Sequence, residues 1–337
     1  MADVSLVTGG AGFLGSHVVD ALVARGEHVV VLDDLSGGFP ENVSPNVELL
    51  AGSILDRSLV ERVFSEHRVR RVYHLAAYAA EGLSHFIRRF NYENNLIGSV
   101  NLINASVNHN VECFVFTSSI AVYGRNQVPM HEELVPSPED PYGVAKLAVE
   151  QDLRACHDQF GLPYVIFRPH NVYGERQNIG DRYRNVIGIF MNQIMRGEPM
   201  TIFGDGLQTR AFTYAGDIAP VIAEAGFRPS AHGQVFNVGA DTPYTVRLLA
   251  ERVAAAMGVE PDIRFLDARN EVVDAYSSHE KVRTFFECPP DTSLDDGLAR
   301  MAAWARSVGA RQSQPFGEIE IPRGLPGSWA AATAEKA

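Results

Sequence analysis

The chain has 337 residues, 46% hydrophobic and 21% charged, the balance of a globular protein able to bury a sizeable core. A formal net charge of −12 argues against nonspecific nucleic-acid binding and against adhesion to anionic membranes. Cys113, Cys156 and Cys288 are too scattered for a disulfide framework or metal cluster, and no apolar run reaches transmembrane length. The expectation is a metal-free, cytoplasmic protein.

Residues 3–8 read as a buried strand running into Gly9, Gly12 and Gly15, and Phe13, Leu14, Val18, Val19 and Leu22 trace the apolar face of a helix over 12–25. Gly9 suits a tight turn, Gly12 a close approach of backbone N–H groups to a pyrophosphate, and Gly15 close packing of the helix. A second strand at 28–33 delivers Asp33 eighteen residues after Gly15. A carboxylate there suits the ribose hydroxyls of NAD and repels the extra phosphate of NADP. The turn therefore predicts an NAD site.

Further strands at 47–50, 71–75, 112–117 and 163–168 alternate with helices at 57–67, roughly 84–110, and 141–160. That alternation predicts an α/β fold, a Rossmann doubly wound parallel sheet with ligands off the carboxyl ends of its strands. The polar motifs fall there. Leu32-Asp33-Asp34-Leu35-Ser36-Gly37-Gly38 ends the second strand, Gly52-Ser53-Ile54 follows the third, beside a space for adenine, and His74-Leu75-Ala76-Ala77 ends the fourth.

Asp140 is expected to cap the helix at 141–160 and Pro141 to start it, so Tyr142 lies in the first turn with Lys146 on the same face. An ammonium beside a phenol, with an oxidised nicotinamide, lowers the phenol's pKa and makes Tyr142 a general base near neutral pH. Thr117-Ser118-Ser119 ends the fifth strand, and Ser119 is placed to bridge a substrate hydroxyl and Tyr142. Beyond about residue 170 the elements shorten: a helix at 183–196, a strand at 200–203, helices at 214–226 and 245–257, strands at 234–238 and 262–266, a last helix at 291–310, and a frayed end from Ser328. No linker stands out. The expected division is a Rossmann domain over 1–170, rejoined by some later segments, and a smaller mixed α/β substrate lobe over 171–330.

Thr8-Gly9-Gly10-Ala11-Gly12-Phe13-Leu14-Gly15, His74-Leu75-Ala76-Ala77, Thr117-Ser118-Ser119, Tyr142-Gly143 with Lys146, and Arg168-Pro169-His170-Asn171-Val172-Tyr173-Gly174 carry a resemblance over nearly the whole chain. It is to the extended short-chain dehydrogenase/reductases, and within them to the NAD-dependent nucleotide-sugar epimerase/dehydratase family. The resemblance implies that Ser119, Tyr142 and Lys146 are catalytic. It implies that NAD meets Gly9, Gly12, Phe13, Leu14, Gly15, Asp33, Asp34, Leu35, Ser36, Gly37, Ser53, Ile54, Leu75, Ala76, Ala77, Asn94, Thr117, Pro169 and His170, besides Tyr142 and Lys146. Ser53 departs from the aspartate that many relatives direct toward adenine.

For the substrate, the resemblance implies Ser118 and Ser119 at the sugar, Asn171, Asn185 and Val186 at the sugar diphosphate, and Ile202 and Phe203 beside a uracil. Arg210 and Arg269 would hold phosphates and Glu271 the uridine ribose. In the basic run from Arg176 to Arg184, Arg182 or Arg184 either reaches a sugar carboxylate or pairs with Asp181. His170 is read as packed and hydrogen-bonded, ahead of any metal or acid–base role. Dehydratases of this kind need an Asp-Glu pair before Val-Tyr-Gly, and similar decarboxylases a glutamate. This chain has Ile120-Ala121 there.

A 4-keto sugar formed here thus has no group to drive elimination, and the resemblance implies a UDP-sugar 4-epimerase with tightly held NAD. UDP-glucuronate is expected ahead of UDP-glucose, because Thr117, Ser118 and local arginines are available to a carboxylate. A non-catalytic NAD-binding protein and a net dehydrogenase are the other classes, the former disfavoured by the intact Ser119, Tyr142 and Lys146. A homodimer pairing through helices near 91–108 and 143–158 is also implied, with no nucleic-acid or membrane partner.

Overall fold

Apolar strands and amphipathic helices alternate through the first half of the computed structural model, which describes residues 3–268, 272–312, 316–327 and 329. In chain order they are β1 (Asp3–Thr8), α1 (Phe13–Ala24), β2 (Val29–Asp33), β3 (Glu48–Ala51), α2 (Arg57–Glu66), β4 (Arg68–His74), α3 (Glu81–Ser84), α4 (Arg88–Tyr92), α5 (Gly98–Asn108), β5 (Cys113–Thr117), α6 (Pro141–Phe160) and β6 (Tyr164–Pro169). The second half contributes β7 (Val172–Tyr173), α7 (Val186–Met195), β8 (Met200–Phe203), β9 (Thr209–Ala211), β10 (Thr213–Tyr214), α8 (Ala215–Ala225), β11 (Gln234–Val238), β12 (Pro243–Thr245), α9 (Val246–Met257), β13 (Ile263–Leu266), β14 (Asp274–Ala275), α10 (Glu280–Phe285) and α11 (Leu294–Val308).

Seven strands form one parallel sheet in the order β11-β6-β5-β4-β1-β2-β3, the expected Rossmann-type α/β fold. The strand order reverses between β1 and β4, the place where such sheets open a crevice for a ligand. One apolar cluster fills the side of the sheet covered by α1 and α8, and a second the side covered by α2, α5 and α6. A third cluster lies under α7, α9 and α11. Among the described residues no helix is long and apolar enough to cross a membrane.

The sequence predicts one helix over roughly 84–110, and the structure breaks it. After α3 and α4 the chain makes a π-helical turn over Glu93–Ile97 before α5 begins. Asn91 and Asn95 are buried there. Asn91 donates to Pro141 O at 2.8 Å, Asn95 donates to Tyr78 O at 3.1 Å, and Tyr78 N donates back to Asn95 Oδ1 at 2.8 Å. These side-chain bonds tie the helix to its neighbours at the widened turn, a feature common near functional sites.

Candidate active site

The turn after β1 needs its glycines. Gly9 has φ +72°, and a Cβ there would lie 2.6 Å from Ala76 N; a Cβ on Gly15 would lie 2.0 Å from Gly9 O. The turn thus closes against both the end of β4 and the start of α1. Asp33, buried at the end of β2, accepts from Ala11 N at 2.9 Å and Leu35 N at 2.8 Å. Burial pushes its carboxyl up, and those two backbone bonds pull it back.

These groups border a cavity of about 350 Å³ that also takes in Gly12, Phe13, Leu14, Asp34, Ser36, Gly37, Ile54, Leu75, Ala76, Ala77, Asn94, Thr117 and Pro169. The Thr117 hydroxyl is buried at this wall without a hydrogen-bond partner among the described residues. A glycine cradle, a buried carboxylate at the end of β2 and a floor of small residues suit a dinucleotide. The residues present fit NAD.

Asp140 caps α6 as expected, accepting from Gly143 N at 2.8 Å, and α6 buries Tyr142, Lys146, Val149, Glu150 and Leu153 along one stripe. Tyr142 is 5% exposed and Lys146 3%. The Lys146 ammonium donates to Thr117 O at 2.8 Å and lies 5.7 Å from the centre of the Tyr142 ring. The expected lowering of the phenol is not produced by the protein's own groups. Burial pushes Tyr142 up, Glu81 adds to the rise, and a hydrogen bond with Ser119 opposes both. Burial also brings Lys146 down to about 7, with Glu150 opposing. Desolvation penalises both charges in the same dry pocket.

A second cavity of about 460 Å³ shares Ser119, Glu81, Asn171, Arg184, Asn185 and Val186 with the first, so the two form one hollow with Ser119 at their junction. Ile202, Phe203 and Arg210 line its far part. Asn185 caps α7, accepting from Ile187 N at 3.2 Å, so the predicted helix at 183–196 starts later and leaves Arg184 in the wall. Asn171 has φ +40°, sparsely populated for a non-glycine residue.

Several expected contacts need correction. Ser118 borders the first cavity, yet it is buried and its hydroxyl donates to Glu150 at 2.6 Å, so its one proton is already engaged. Leu35, at φ +60°, turns its side chain into the core, and the Ser53 hydroxyl accepts from Leu55 N at 3.2 Å; neither lines the cofactor cavity. His170 faces the second cavity instead. Its Nδ1 is 3.1 Å from Ala211 O and its Nε2 is 3.0 Å from His279 Nε2, and His279 Nδ1 is 2.5 Å from Asp241. Burial, with His279 next, brings His170 down to about 3, which removes acid–base work near neutral pH. Arg184 pairs with Asp181 at 2.8 Å and stacks 4.2 Å from the centre of the Tyr78 ring. Arg269 and Glu271 lie outside the described residues.

The hollow also contains residues the sequence did not single out: Tyr78, Glu81, Phe90, Gln177, Asn178 and Phe212 in the first cavity, and His85, Gln193, Gln208 and Trp329 in the second. Phe212 and Gln208 flank Arg210, and Gln177 and Asn178 sit in the basic run 176–184, so proximity to flagged residues was their signal. Trp329 had no such neighbour, and the expected fraying from Ser328 does not hold at this buried side chain.

A family model described as NAD dependent epimerase/dehydratase family matches residues 5–239. A putative UDP-glucose 4-epimerase of Methanocaldococcus jannaschii is 32% identical over 306 residues, covering 90% of this chain and 98% of the relative. A crystal structure of UDP-glucose 4-epimerase from Thermotoga maritima with UDP-glucose superposes with TM-score 0.86 at 34% identity, covering 91% and 99% of the two chains. The UDP-glucuronic acid 4-epimerase of Bacillus cereus, in complex with UDP-glucuronic acid and NAD, superposes with TM-score 0.83 at 28% identity, covering 91% and 100%.

Proposed function

The chain belongs to the NAD-dependent epimerase/dehydratase family, and from that premise we propose that it inverts C4 of a UDP-linked hexose through a transient 4-keto sugar. The observation that carries this reading is that Ser119, Tyr142 and Lys146 line the first cavity together, Ser119 also bordering the second, with Ile120 and Ala121 following Ser119. Bound NAD supplies reversible hydride acceptance at the sugar carbon. Tyr142 takes the C4 hydroxyl proton and later returns it. Ser119, hydrogen-bonded to Tyr142, orients that hydroxyl. Lys146, anchored on Thr117 O, sets a positive charge beneath the phenolate as it forms. With no carboxylate at positions 120 and 121 to move a further proton, the ketone is reduced again rather than eliminated.

We place a neutral hexose, UDP-glucose or UDP-galactose, ahead of a hexuronate. Glu81 and Asp140 act on the Tyr142 phenol as well as Arg184, so carboxylates border the reacting end together with the guanidinium. Of the groups expected to receive a carboxylate, Ser118 and Arg184 are engaged by Glu150 and Asp181, whereas the Thr117 hydroxyl has no hydrogen-bond partner among the described residues. The hexuronate reading keeps support from Arg184, which lines both cavities, from Arg182 in the second cavity and from the Thr117 hydroxyl in the first. Purified protein given UDP-glucose and UDP-glucuronate separately, without added NAD, should yield C4 epimers, faster from UDP-glucose, with no accumulating NADH absorbance. Faster conversion of UDP-glucuronate reverses the order; release of water or carbon dioxide overturns the epimerase.

The reading extends to organisation. The cofactor belongs to the portion up to residue 170 and the sugar nucleotide to 171–330. Two copies pair through the helical segments near 91–108 and 143–158, where Ile97, ending the π-helical turn before α5, and Val144 in α6 are exposed. The unpaired thiols of Cys113, Cys156 and Cys288 suit a reducing cytoplasm.

A further inference from the structure

Near its carboxyl end the chain returns to the hollow. Glu320 accepts from Arg89 N at 2.7 Å and Phe90 N at 2.8 Å, and its own N–H and that of Ile321 donate to Phe86 O at 2.9 and 3.1 Å. Phe316 N donates to the Tyr183 hydroxyl at 3.3 Å, and the Phe316 ring lies 4.9 Å from that of Phe90. The tail is thus fastened to both rims, the α3–α4 segment and the loop before α7. It ends its described course in Trp329, which is 5% exposed and lines the second cavity.

The indole meets Tyr183 at 5.3 Å, Phe86 at 6.3 Å and Phe203 at 6.4 Å between ring centres, at interplanar angles of 79°, 89° and 75°. All three contacts are edge-to-face. No parallel ring covers an indole face among the described residues, and the hollow beside it is the part walled by Ile202, Phe203 and Leu266. A flat aromatic surface there suits a flat partner.

We propose that Trp329, which lines the cavity beside Phe203 of β8, is a binding residue for the pyrimidine base of the bound nucleoside diphosphate. The carboxyl-terminal tail is then part of the substrate site. This rests on the sugar-nucleotide reading above. The base and ribose remain unchanged while C4 is inverted, so Trp329 contributes equally to ground state and transition state and acts on affinity rather than on the chemical step.

The test uses the NAD-loaded full chain, with UDP and inorganic pyrophosphate as probes in isothermal titration. Trp329→Ala should weaken UDP by about 5- to 150-fold while leaving pyrophosphate unchanged, and should raise KM for the UDP-sugar with kcat preserved. Trp329→Phe should recover part of the loss. The sequence has one other tryptophan, Trp304, which lines neither cavity. In Trp304→Phe the emission of Trp329 alone should shift or quench on adding UDP, a readout that stands even where Trp329→Ala does not fold. If the wild type binds UDP while Trp329→Ala binds it as tightly, or the lone Trp329 emission ignores UDP, the inference is overturned. If the wild type binds neither UDP nor a UDP-sugar, the sugar-nucleotide reading itself falls.

Discussion

The phenol of Tyr142 sits where burial, Glu81 and Asp140 keep its proton on, while Ser119 and Arg184 favour its loss. A base held neutral by its surroundings works better as pH rises, but Lys146, brought down to about 7, loses above that pH the charge that steadies the phenolate. The wild-type kcat should therefore climb from about pH 5 to about pH 7 and level off beyond it; a profile flat below about pH 7 would move the base elsewhere. Tyr142→Phe should lower kcat by about 10²- to 10⁴-fold with NAD still bound, read by turnover and by cofactor absorbance of the purified protein. The spacing of Asp33, Ser119, Tyr142 and Lys146 was legible because local rules act on it: a carboxylate ending a strand, a hydroxyl ending another, a helix face. Glu81 was not legible, since no spacing rule connects residue 81 to residue 142. Ser118 was misread for a related reason. Its proton goes to Glu150, and that partner is set by how α6 lies on the sheet.

At the scale of elements, α6 is joined to β6 by a buried ion pair. Arg168 donates to Glu150 through Nε at 2.9 Å and Nη2 at 2.6 Å, both side chains being almost fully buried. Glu150→Ala leaves the guanidinium uncompensated and should cost about 3–5 kcal/mol, seen as unfolding at lower urea. Replacing both partners by apolar residues should recover most of it, and a single variant as stable as wild type would show that the pair does not fasten α6. The ends of α6 were readable, because Asp140 and Pro141 start it and Gly161, at φ +76°, stops it. The π-turn at Glu93–Ile97 and the short strands β7, β9, β10, β12 and β14 were not. Two or three residues carry no alternation, and their pairing depends on partners far along the chain.

For the molecule as a whole, the parallel sheet followed from alternation alone, whereas the joining of two cavities did not, because it depends on where the loop before α7 and the tail come to rest. The exposed Ile97 and Val144 mark the face at which a second copy should pair, so light scattering at micromolar concentration should return twice the chain mass. A single chain mass would refute the pairing. The returning tail carries a consequence for synthesis. Gly9 and Trp329 border one enclosure, so a ribosome must translate past residue 329 before that enclosure has its last side, long after the cofactor's lining residues have emerged. On a growing chain, the dinucleotide's place is ready before the sugar's.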